Sequence, residues 1–179
     1  LAEQEARRQG VEVCCLEVLQ QNEKAIALYQ KQGFSICREF VVLQADASRC
    51  TVSASENVEF TDYEPLSFQK DVFCHCPLPS YEHSDAVIRQ NPELYGLALV
   101  KRGEQAAFCL YTKADGSIVQ MGYQNIEELE VILQNLLVHY GAVTAKNIYA
   151  EEQEVLKLLC RLGFKEVARQ FEMEKQIGL

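Results

Sequence analysis

The chain has 179 residues, 24% of them charged and 48% hydrophobic, with 9 glycines and 4 prolines. These proportions exclude a disordered or fibrous polypeptide and leave an ordinary globular α/β or α+β protein, with length for one full core or two small ones. A net charge of −9, from 26 acidic and 17 basic side chains, argues against a nucleic-acid footprint. No apolar run approaches the ~20 residues that cross a bilayer, so no membrane partner is expected either. The opening residues are polar helix material rather than a signal peptide.

Eight cysteines are many. Cys14, Cys15, Cys109 and Cys160 sit inside apolar runs, where a cysteine serves as a small buried hydrophobe. A reduced, cytoplasmic protein without a disulfide framework is expected.

In chain order, residues 2–9 predict the last turns of a helix, stopped by Gly10. Residues 11–18 predict a buried strand. Asn22 opens a helix that runs to Gln32 and closes at Gly33, and residues 35–44 are extended. The stretch 45–64 is polar and predicts a connection, with short strands at 50–52 and 58–60. The domain division drawn from this is 1–46, a linker at 47–64, and a second unit at 65–179.

In that second unit a helix is expected over 81–89, with Tyr81 as a packing anchor. Strands follow at 94–100, 105–111 and 117–123, with a tight turn at Asp115-Gly116. Asn125 and Glu128 form a capping-box-like start to a helix whose apolar face is Leu129, Ile132, Leu133, Leu136, Leu137 and Tyr140. Gly141 ends it. A strand at 143–149, a helix at 151–161 with Val155, Leu158, Leu159 and Leu162 inward, and a strand at 164–173 complete the chain. These elements predict a mixed, mostly antiparallel sheet flanked by helices, of the α/β (α+β) class.

Two segments share one plan of helix end, glycine, strand, helix, Gly-Phe and strand. Leu28 matches Leu158, Lys31 matches Arg161, Gly33 matches Gly163, and Phe34 matches Phe164. Each glycine stands where a helix C-terminus needs a left-handed residue. A partial duplication is the expectation.

The run Leu16-x-Val18, then Asn22-x-x-Ala25-x-x-Leu28-Tyr29-x-x-x-Gly33-Phe34, resembles the second conserved half of the GCN5-related N-acetyltransferase superfamily. The resemblance implies an acyl-CoA N-acyltransferase-like fold and acetyl-CoA as co-substrate. It implies transfer of an acetyl group to the amine of a small molecule or protein. It places Asn22 near the pantetheine arm and Tyr29 near the thioester, as the acid that protonates the departing thiolate. The family's phosphate-binding loop would lie upstream of Leu1. The chain is therefore expected to be the C-terminal portion of such an enzyme, and inactive by itself. In the second unit Glu152 stands at the Asn22 position and Leu159 at the Tyr29 position. Glu127, Glu128 and Glu130 crowd the helix start where phosphates would bind, so that copy reads as degenerate and non-catalytic. The alternative is a non-catalytic binding or structural module of the same fold, and a third arrangement has residues 1–44 completing the second unit's sheet. A homo-oligomer stays open. Cys74-His75-Cys76 with His83 lacks a second well-spaced ligand pair, so no metal is expected. Cys109, His139 and Asp85 are not expected to form a nucleophilic arrangement.

Overall fold

The computed structural model describes residues 2–50, 54, 57–70, 73, 75–102 and 104–177. Its first half holds a short helix α1 (Ala2–Arg8), strand β1 (Val13–Leu19), helix α2 (Glu23–Lys31) and the long strand β2 (Ser35–Asp46). Strand β3 (Val58–Asp62), the one-turn helix α3 (Asp85–Ile88) and strands β4 (Tyr95–Arg102), β5 (Glu104–Thr112) and β6 (Ile118–Tyr123) follow. Helix α4 (Ile126–Tyr140), strand β7 (Ala142–Tyr149), helix α5 (Gln153–Arg161) and strand β8 (Lys165–Gln176) finish the chain. The predicted turn glycines Gly10, Gly33, Gly116, Gly141 and Gly163 all have positive φ.

All eight strands lie in one sheet, in the order β1-β8-β2-β7-β6-β5-β4-β3. Every neighbouring pair is antiparallel except β6 and β7. Strands β1 and β2 are thus interleaved with β7 and β8 rather than forming a separate sheet. Two-residue alternation along β4 and β5 sorts the side chains to opposite faces. Ala98, Val100, Ala107 and Cys109 join α4 and α5 in the larger core. Leu97, Leu99, Phe108 and Leu110 face Tyr63, Phe73 and Ile88 on the other side. The predicted face of α4 is fully buried at Leu129, Ile132, Leu133, Leu136 and Leu137. Each such leucine or isoleucine contributes about 1.5–3 kcal/mol on burial, so this helix anchors the fold.

The pairing has an approximate two-fold character. Replacing each residue by its counterpart in the other segment, with Gly33 matched to Gly163, exchanges Ser35↔Glu174 with Gln44↔Lys165 and leaves Phe40↔Gln170 in place. Likewise Leu19↔Gln170 on β1 and β8 matches Phe40↔Tyr149 on β2 and β7.

Several local expectations differ from the structure. Strand β1 is an edge strand and mostly half-exposed; of its residues only Val18 is buried. The helix expected over 81–89 is a single 3-10 turn (Tyr81–His83) followed by α3, because Ser84 is extended between them. The Tyr81 ring is exposed and does not anchor packing. Cys109 is buried as expected, but Cys160 lies on the solvent side of α5. Of the two short strands expected within 45–64, the second is β3, while residues 51–52 of the first lie outside the described residues.

Candidate functional site

Strands β6 and β7 are the parallel neighbours of the sheet, and they pair only at Ile118↔Ala145. Beyond that point they separate. Parallel strands that part in this way leave unpaired backbone groups on both lips, and a buried unpaired group is costly. The chain itself fills the opening. The His75 N–H donates to the Tyr123 carbonyl at 3.0 Å, and the Tyr123 N–H donates back to the His75 carbonyl at 2.9 Å. Pro77, Leu78 and Pro79 then line one small cavity together with Val119–Met121 of β6 and residues 146–149 of β7. Gly122 makes this approach feasible. A Cβ there would lie 2.6 Å from Cys76 Sγ, 3.1 Å from the His75 carbonyl, and closer still to the Phe108 ring.

Residues 75–83 form a strap that continues across the sheet toward β1, and polar groups hold it along its length. The Arg38 guanidinium donates from Nε to Glu172 Oε2 at 2.7 Å and from Nη2 to Oε1 at 2.9 Å. The same group donates to the strap carbonyls of Leu78 (3.3 Å) and Pro79 (3.1 Å) and lies over the Phe40 ring. Glu172, 2% exposed, also accepts from the Tyr81 N–H at 2.9 Å. Glu17 on β1 accepts from the Glu82 N–H at 3.0 Å and from Asn147 Nδ2 at 2.6 Å. Asn147 donates as well to Ser80 Oγ at 3.0 Å. Among the described non-glycine residues only Asn147 has a positive φ, 52°, and it stands beside a register shift in the β2–β7 pairing. Asparagine tolerates the left-handed region better than other side chains. Glu17 and Asn147 are counterparts in the two segments, so their contact lies on the approximate two-fold.

At the near end of the strap, His75 Nε2 is 2.8 Å from Glu152 Oε2. The Tyr123 hydroxyl donates to Glu154 Oε2 at 3.1 Å, and burial together with that carboxylate pushes the phenol up. Toward the far end, Lys70 pairs with Asp85 and with Gln120 Oε1, and Gln120 Nε2 donates to the His83 carbonyl at 2.6 Å. Burial acts to raise the Asp85 carboxyl, but the hydrogen bonds from Lys70 and Gln120 outweigh it and hold the group low. His83 is buried, and burial lowers its pKa to about 4, so its ring is neutral at pH 7.

Asn22 and Tyr29 lie elsewhere, on α2. Asn22 is the N-cap, its Oδ1 accepting from the Ala25 N–H at 3.2 Å. Tyr29 is half-buried, edge-on to Phe34 at 6.0 Å between ring centroids. One helix carries both, about 10 Å apart along its axis at 1.5 Å per residue. Their counterparts differ in kind. Glu152 is engaged by His75, and Leu159 is fully buried.

The start of α4 suits a phosphate poorly. Asn125 Oδ1 accepts from the Glu128 N–H at 3.1 Å, and Glu127 and Glu128 stand in the first turn. One free donor is taken and the added charge is negative, opposite to what an anion needs. An acyl-CoA does not fit the β6–β7 opening as it stands.

Cys74, of the expected Cys-His-Cys run, lies outside the described residues; His75 is engaged by Glu152, and His83 is buried. Asp85 is held by Lys70 and Gln120, while His139 stacks on Phe60 and Cys109 is buried, so the three form no joint arrangement. Among the described residues one group has metal-ligand proximity, Cys37, Glu172 and Glu174, and within it Glu172 is already paired with Arg38. Sequence reasoning missed the strap and the Arg38–Glu172 pair. The partners stand far apart in the chain, and neither carries a local spacing signal. No helix among the described residues is long and apolar enough to cross a membrane.

No protein-family model matches the chain, and no curated protein matches it. Solved structures do. A GCN5-related N-acetyltransferase from Sphaerobacter thermophilus superposes with a TM-score of 0.59 at 17% identity, covering 93% of this chain and 60% of that one. An acetyltransferase from Pyrococcus horikoshii, putative by its description, gives 0.68 at 16% identity, with 97% and 56% covered. A GCN5-related N-acetyltransferase from Anabaena variabilis gives 0.55 at 12%, with 99% and 49% covered. The chain spans about half to three-fifths of the length of these structures. At such identities the likeness is one of fold, and the fold is that of the GCN5-related N-acetyltransferases.

Proposed function

We propose that this chain is the C-terminal portion of an acetyl-CoA-dependent N-acetyltransferase that transfers an acetyl group to an amine. The observation that carries the reading is the contrast between two equivalent positions. Tyr29 keeps a half-exposed phenol on α2, whereas Leu159 on α5 is sealed in the core. In this reading Asn22 and Tyr29 face the co-substrate, and the Tyr29 hydroxyl supplies a proton to the departing thiolate as the amine attacks. The β6–β7 opening, filled by the strap, plays no catalytic part. Residues 1–46 belong to the catalytic unit, 47–64 link, and 65–179 form the second, non-catalytic unit whose sheet the first unit shares.

The test is acetyl-CoA titration of the full-length gene product, with thiol release measured against a panel of amines. Tyr29→Phe is expected to slow turnover by about 10²-fold, with acetyl-CoA affinity unchanged. A full-length product that fails to bind acetyl-CoA overturns the reading. The filled opening favours a second reading, a structural or binding module of the same fold, and that failure would support it.

A further inference from the structure

One face of β1, β8 and β2 gathers thiols and carboxylates that the strap does not use up. Glu172 and Glu174 stand two residues apart on β8 and so share a face. Strand β1 sets Glu17 across from Glu172 and Cys15 across from Glu174. Residues opposed in this way have Cβ atoms about 4.5–5.5 Å apart. From the other side β2 offers Cys37. The β2–β8 register shifts between Ile36 and Arg38, which leaves Cys37 as an extra residue in β2. A bulge re-aims a side chain. Here Cys37 and Arg38 both meet Glu172. Cys37 Sγ donates to the Glu172 carbonyl at 3.2 Å and to its Oε2 at 3.5 Å, beside the fork from Arg38.

The Cys37 sulfur and one carboxylate oxygen each from Glu172 and Glu174 lie within 4.8 Å of one another. The charges of this face are unbalanced. Arg38 answers Glu172, whereas Glu174 makes no hydrogen bond or ion pair among the described residues. Burial and the Glu174 and Glu172 carboxylates push both the Cys15 and the Cys37 thiols up. A field that holds thiols protonated is one that attracts a cation. Glu172 also keeps room for one. Its Oε1 accepts from Arg38 and the Tyr81 N–H, but its Oε2 accepts from Arg38 and only the long Cys37 S–H bond. That last bond is lost when the thiol ionises. Thiolates mixed with carboxylates are donors for zinc, whereas magnesium and calcium take oxygen alone.

We propose that Cys15, Cys37 and Glu174, with Glu172 Oε2 as the fourth donor, bind one divalent cation of the zinc class. Each thiol gives its proton to solvent as its sulfur–metal bond forms, and nothing is oxidised or reduced. The ion ties the edge strand β1 to β2 across β8, a structural role independent of acetyl transfer.

The test is titration of the reduced, chelator-treated full chain with Co²⁺, followed by absorbance. One ion per chain is expected, with thiolate-to-cobalt charge-transfer absorption that Zn²⁺ bleaches and Mg²⁺ does not. Cys37→Ser and Cys15→Ser should each cut that absorption to about half or less, since each removes one of two thiolates. Glu174→Gln should weaken Co²⁺ binding at least ~10-fold. Cys160→Ser, on the far side of α5, should change neither. Unaltered urea midpoints show that each variant is folded, and Glu174→Gln decides the matter if either cysteine variant is not. No charge-transfer absorption in the folded wild-type chain overturns the proposal. So does absorption that survives undiminished in folded Cys15→Ser and Cys37→Ser, or an affinity that Glu174→Gln leaves unchanged.

Discussion

The Arg38–Glu172 pair gives the sharpest test of how the strap is held. Arg38→Met keeps most of the side-chain length over Phe40 but deletes the guanidinium. Glu172, 2% exposed, then keeps the Tyr81 N–H as its backbone donor while its charge loses the fork of two N–H bonds. The strap loses donors to two carbonyls as well. Removing one partner of a buried ion pair costs about 3–5 kcal/mol, and the 24% exposure of the Arg38 side chain puts the expectation at the lower end, about 3 kcal/mol. For a domain of this size that corresponds to a fall in Tm of roughly 6–12 °C. The double variant Arg38→Met/Glu172→Met removes both charges and should recover about 1–2 kcal/mol relative to Arg38→Met. Urea unfolding of wild type, both single variants and the double variant completes the cycle. A loss below ~1 kcal/mol in Arg38→Met, or a double variant no more stable than the single, refutes the argument that an uncompensated carboxylate dominates.

Gly122→Ala should cost about 1–3 kcal/mol and lift the strap from β6, because its Cβ would collide with Phe108 and Cys76; faster amide exchange at His75 and Tyr123 is the readout, and unchanged exchange counts against it. His83 has a folded-state pKa near 4 against 6.5 for the free side chain, so the unfolded chain binds the extra proton between those values. Stability from this group is complete above about pH 6.5 and falls as pH drops through that window, by about 2 kcal/mol between pH 7 and pH 5. The slope should vanish in His83→Phe, measured by urea midpoints at the two pH values; the same slope in both proteins would sink the assignment. Burial and the nearby Glu172 and Glu174 carboxylates push the Cys37 thiol up to about 12, although the residue is exposed. Native-state alkylation at pH 8 should therefore label Cys160 first and Cys37 at least ~10-fold more slowly. Equal rates, read by mass spectrometry, would show that the carboxylates do not suppress the Cys37 thiolate.

How much was legible in the sequence varies with the range of the interaction. The helices α2, α4 and α5 read correctly because their signals are local. Asn22 and Asn125 cap through bonds spanning three residues, and glycines at 33, 141 and 163 stop the helices with left-handed backbone. The apolar face of α4 read correctly because a 3.6-residue period is visible in a window of fifteen residues. The segment 81–89 failed because Ser84 is extended, and the Asp85 that follows it meets Lys70 and Gln120, partners distant in the chain. Strand β1 has the composition of a central strand, which predicts burial; its place at the edge depends on which strand lies beside it.

The amino-acid sequence by itself determined the longer helices, most of the strands, the glycine turns and the likeness between two strand–helix–strand segments. Each of those is set by backbone preference and side-chain period over a few neighbouring residues. Only the tertiary structure decided the interleaving of β1 and β2 with β8 and β7, the strap that fills the opening between β6 and β7, and the open edge that β1 presents. Those features arise from backbone pairing and from charges such as Arg38 and Glu172 that meet across the whole length of the chain. Composition carries no trace of such meetings, because strand pairing is decided by register and burial in three dimensions rather than by proximity in sequence.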